Sequence, residues 1–104
     1  MSTRIISGKG ILYRASDNHI LASVRYQLWE RPPGEGQRGT WWGNIWIDEQ
    51  QDDPARLILA GEGDFRLDLE DGRTGQMTVT LHVTAGHKTY SVQGTEPLAR
   101  IVPR

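Results

Sequence analysis

The 104-residue sequence contains no cysteine, which removes disulfides, thiolate metal sites and cysteine nucleophiles together. That composition suits a reducing compartment. Neither charge is in surplus: 12 Lys and Arg stand against 13 Asp and Glu, for a net charge of −1, and the signs are interspersed. Binding through phosphates needs an excess or a stripe of basic residues. Nucleic acid is therefore a disfavoured partner, and Arg100 and Arg104 make too small a basic end to change that. No apolar run approaches the roughly 20 residues of a membrane helix. Met1 to Gly10 sets Arg4 and Lys9 around only Ile5 and Ile6, with no apolar stretch of signal-peptide length. The expectation is a cytoplasmic protein with no membrane partner.

Catalytic and ligand motifs are scarce as well. His19 and His87 fall in turns and His82 on a polar strand face, with no second ligand at metal spacing. Ser7, Ser16, Ser23 and Ser91 lack a nucleophile-elbow setting. Gly8-Lys9-Gly10 is too short for a phosphate loop. Asp48, Glu49, Asp52 and Asp53 lack the ligand order of a calcium loop. Asp68 and Glu70 share a strand face with Arg66, about 7 Å apart, which reads as a solvated charged face rather than a catalytic pair. The expectation is a protein that is not an enzyme and needs no cofactor or metal.

What the sequence has is punctuation. Gly, Pro and Asp/Asn breaks divide it into short runs in which apolar and polar residues alternate, as in Phe65-Arg66-Leu67-Asp68-Leu69. A period of two denotes strands with one buried face. The whole chain, 1–104, reads as a single all-β domain. The expected fold is a small antiparallel barrel, or a strongly coiled sandwich, of about seven or eight strands in mostly up-and-down order. Arg4 to Tyr13 is the first strand, with Ile6, Gly8, Gly10 and Leu12 on one face; its glycines suit a strand that bends round a barrel corner. Ile20 to Glu30 is the second: Ile20, Ala22, Val24, Tyr26 and Leu28 point inward, and Ser23, Arg25, Gln27 and Trp29 outward. After the Pro32-Pro33 loop, Thr40 to Ile47 divides into Trp41, Gly43, Ile45 and Ile47 on one face and Trp42, Asn44 and Trp46 on the other. The loop does not fix this register, and the opposite choice would send Trp42 and Trp46 inward.

Arg56 to Ala60 is read as a short strand, although Pro54 would also suit a helix start. In the hairpin of Asp64 to Leu69 with Met77 to Val83, a three-residue Glu70-Asp71-Gly72 loop keeps the odd-numbered apolar residues on one face. It pairs Phe65 with Met77 and gives Gly72 the left-handed position. A Gly86-His87 turn then sets Val83 beside Tyr90. Leu98 to Val102 is expected to pair with the first strand and cover its edge.

The candidate binding surface is the outer face carrying Trp29, Trp42 and Trp46 with Arg25 and Gln27, because grouped exposed indoles mark interaction surfaces. The expected function is a non-enzymatic binding or assembly module whose partner is itself, as a homodimer, or another protein. Two other readings stay open. One is a carrier that takes a small apolar ligand inside the barrel, with Tyr26 and Tyr90 as polar contacts. The other is a single-stranded nucleic-acid binder, which the charge balance opposes.

Overall fold

The structure, a computed structural model, describes residues 3–34 and 36–100. Its elements are β1 (Arg4–Arg14), β2 (His19–Arg31), β3 (Thr40–Gln50), α1 (Pro54–Leu59), β4 (Phe65–Leu69), β5 (Arg73–Thr84), β6 (His87–Gly94) and β7 (Ala99–Arg100). The strands form one antiparallel sheet in the order β4-β1-β2-β3-β6-β5-β7, and β4 also pairs with β5, so six strands close into a barrel. Two meanders, β1-β2-β3 and β4-β5-β6, are joined at β1–β4 and β3–β6. No helix among the described residues is long and apolar enough to cross a membrane.

The inward faces follow the expected alternation. Leu12, Val24, Tyr26, Leu28, Trp41, Ile45, Phe65, Leu67, Met77 and Val92 form the centre of the core. In the β4–β5 hairpin Phe65 opposes Met77, and Gly72 has φ +88°. Glycine is needed there because an L side chain in that region meets its own carbonyl. Gly10 serves a different purpose: a Cβ there would collide with the backbone carbonyl of Asp68, where β4 crosses β1.

Four expectations are corrected. Residues 54–59 form a helix rather than a strand. Asp53 caps it, its carboxylate accepting from the Ala55 N–H at 3.0 Å, and Pro54 occupies the first turn, where no N–H is required. Pro54, Ala55 and Leu57 are buried, and the segment before them is tied to β2 by hydrogen bonds from the Gln51 and Asp52 N–H groups to the Leu21 carbonyl. Second, Ile20 is 40 % exposed while Leu21 and Ala22 are both fully buried. Leu12 opposes Ala22 and Tyr13 opposes Ile20, so Leu21 is an extra residue in the ladder that turns inward beside its neighbour. Third, Thr84 pairs with His87 and Val83 with Lys88, which makes Ala85-Gly86 the turn. Both of its residues have positive φ, +51° and +81°, the geometry of a type I′ turn. Fourth, the described part of the last segment, β7, pairs with β5 through Arg73–Arg100 and Thr74–Ala99, not with β1, whose edge is taken by β4. Residues 101 and 102 of that segment lie outside the described residues.

Candidate functional site

The β2–β3 register decides where the indoles lie. Trp29 stands directly opposite Trp42, Gln27 opposite Asn44 and Arg25 opposite Trp46. All six point outward, because Tyr26, Leu28, Trp41 and Ile45, which alternate with them, are buried in the core. Trp41 is fully buried and donates its indole N–H to the Glu96 carbonyl at 2.7 Å. Gly75 and Gly94 leave the space its ring fills, since a Cβ at either position would strike the indole. An indole locked in this way cannot exchange places with Trp42.

The outer face is not one patch: two of its grooves lie on either side of the Gln27–Asn44 pair, and another of about 350 Å³ runs past Arg25 and Trp46 toward Gln50 and Lys88. The largest of these, about 620 Å³, is lined by Ser7, Gly8, Lys9, Arg25, Tyr26, Gln27, Trp46 and Glu70. Trp46 is 43 % exposed on its rim. Arg25 donates to Asp48 at 3.0 Å, and Lys9 stands opposite Arg25 across the β1–β2 ladder. The second groove, about 330 Å³, is lined by Trp29, Trp42, Gly43, Asn44, Thr80, Ser91, Val92 and Gln93. It spans β2, β3, β6 and β5 and has no ionisable side chain. Gly43 forms part of its floor, and a side chain there would run into the β2 backbone at Gln27 and Leu28. Arg31 lies over the Trp42 ring at 5.9 Å from its centroid, beyond the groove lining. Neither the Pro32-Pro33 loop nor the acidic 51–53 connection contributes to either lining.

Tyr26 and Tyr90 belong to the core cluster, at 3 % and 5 % exposure, among side chains that fill the barrel interior. The Tyr26 hydroxyl accepts from the Glu70 N–H at 3.3 Å. Burial raises the pKa of both phenols. Asp68 and Glu70 do not form a pair. The Asp68 carboxylate accepts from the Thr74 hydroxyl at 2.7 Å and from Arg66 at 3.2 Å, and Arg66 rests on the Tyr13 ring at 4.1 Å. Glu70 folds over Gly8. Among the described residues no three His, Cys, Asp or Glu side chains come together as a metal site.

Sequence reasoning missed the groove wall on the second meander, Thr80, Ser91 and Gln93. Ser91 and Gln93 alternate with the buried Tyr90 and Val92, so their outward direction was readable, but the β3–β6 pairing that carries them to Trp42 was not. Glu30 was missed too. It continues the inward parity of Tyr26 and Leu28, and is a buried carboxylate at the end of the barrel opposite α1. Arg73 donates to its two oxygens at 3.0 and 3.1 Å, and Arg4 donates at 3.0 Å. No protein-family model, curated protein or solved structure matches this chain.

Proposed function

We propose that this protein is a non-enzymatic binding module whose working surface is the outer face of β2 and β3, with the flanking outer positions of β1 and β6. The observation that carries this reading is the register: Trp29–Trp42, Gln27–Asn44 and Arg25–Trp46 lie side by side on the solvent side of the barrel while Trp41 alone is committed to the core. Indoles that were only structural would be expected inside or beneath a covering segment, and neither neighbouring loop lines the grooves. Large rigid aromatics with adjacent amides suit contact energetics, because they offer area at little conformational cost.

The test pairs light scattering with iodide quenching of tryptophan emission in single Trp→Phe variants. A working face predicts that Trp46 and at least one of Trp29 and Trp42 are quenched, and that Trp42→Ala and Trp29→Ala change stability by under about 1 kcal/mol. Shielded indoles in a monomer, together with unfolding by either alanine variant, would sink the reading. A dimer whose indoles become quenchable on dilution would identify a second copy as the partner.

A further inference from the structure

We infer that the charge-free groove of Trp29, Trp42, Asn44, Thr80, Ser91 and Gln93 binds a neutral glycan, with sugar rings stacked on the indoles. This rests on the binding-module reading and names the ligand class of one of its grooves. The first argument is charge. Charged residues make up 24 % of the chain, yet none lines this groove, while the groove on the other side of the Gln27–Asn44 pair holds Lys9, Arg25 and Glu70. A phosphate or carboxylate ligand would find no counter-charge among the lining side chains, and the Arg31 guanidinium beyond them is engaged over the Trp42 ring.

The second argument is how the polar groups are disposed. Asn44, Thr80 and Ser91 make no side-chain hydrogen bond to any other described residue. Gln93 directs its amide N–H groups at the Trp41 and Gly94 carbonyls, at 3.4 and 3.5 Å, which leaves its oxygen free. No buried side-chain polar atom among the described residues lacks a partner, so these free groups face water in the groove. A dry protein interface would strand them, at about 1–3 kcal/mol for each group left unpaired. A pyranose has an apolar C–H face and a rim of hydroxyls that both donate and accept. The groove offers both, with two indoles and the Asn44 amide on its β2–β3 wall and the Thr80 and Ser91 hydroxyls and the Gln93 amide on the β5–β6 wall.

The experiment is affinity electrophoresis of the full chain through gels containing hydroxyethyl cellulose, glucomannan or the polyanion alginate, with cellohexaose followed by tryptophan emission. The expected result is retardation by the two neutral polymers and not by alginate, insensitive to added salt. Trp42→Ala should weaken it at least about tenfold, and so should Thr80→Glu, which places a carboxylate in the groove at an exposed position that the core does not use. No retardation by either neutral polymer, with cellohexaose leaving the emission unchanged, overturns the inference. So does retardation that survives Thr80→Glu, or a Trp42-dependent dimer. If the indoles prove quenchable but no glycan binds, the ligand class alone is wrong; shielded indoles and unfolding alanine variants would remove the module reading itself.

Discussion

Replacing Arg73 with methionine should destabilise the barrel by about 3 kcal/mol, and the partner carboxylate sets that figure. Glu30 is 7 % exposed, on the inward face between Arg4 and Trp41 in the ladder. Arg73 spans both of its oxygens at 3.0 and 3.1 Å, and a second donor from the same guanidinium reaches Asp71 at 2.9 Å. Removing one partner of a buried pair costs about 3–5 kcal/mol, because an uncompensated charge stays behind. The lower end applies here, since Arg4 still reaches Glu30 at 3.0 Å, although its own side chain is 61 % exposed. For that reason Arg4→Met alone should cost less than about 1 kcal/mol. In a chain of this length a loss of about 3 kcal/mol lowers Tm by about 12 °C or more. Arg73→Met/Glu30→Met should recover most of the loss, because two apolar side chains of similar volume leave no stranded charge. Urea unfolding followed by far-UV circular dichroism measures the wild type, the singles Arg73→Met, Arg4→Met and Glu30→Met, and the double variant. An Arg73→Met loss below about 1 kcal/mol, or a double variant as unstable as the sum of Arg73→Met and Glu30→Met, would refute the reasoning.

Gly94→Ala should cost about 2–3 kcal/mol by driving a methyl group into the Trp41 indole, whereas Gly63→Ala, with open space around it, should change little; equal urea midpoints for the two would contradict the packing described for Trp41. Ala85→Asn should stabilise by about 0.5–1 kcal/mol, since Ala85 holds φ +51° in a turn that favours Asn-Gly. A lower urea midpoint in that variant would argue against the type I′ turn.

Parity alone makes much of the barrel legible in the sequence. It set Trp41 on the face opposite Trp42 and Trp46 but left open which face was buried, a choice that the packing of Trp41 settles, and with the Gly72 turn it fixed Phe65 against Met77. Parity has a blind spot, because registers two residues apart leave every side chain on the same face. Gly86-His87 and Ala85-Gly86 turns both keep Val79 and Val92 inside, so the choice between them lay in backbone preference alone. The helix at 54–59 was hidden by its brevity, its Asp53-Pro54 start outweighed by the strand pattern around it. The β1–β4 and β3–β6 contacts have no short loop to announce them. The second wall of the groove, and the capture of Glu30 by Arg73, both depend on such distant pairing.

The β3–β6 junction has a mechanical consequence. Of the contacts that close the barrel it is the shorter seam, with four residue pairs from Trp42–Gln93 to Ile45–Tyr90 against five at β1–β4. Both seams join residues far apart in sequence, so they zip up after the hairpins and are natural places for the closed ring to part. The uncharged groove lies across three of those four rungs, with Trp42, Gly43 and Asn44 on one lip and Ser91, Val92 and Gln93 on the other. A ligand seated there is a stitch as well as a passenger. Its binding energy is unavailable once the lips separate, so occupancy raises the cost of opening the barrel at a junction held by four rungs.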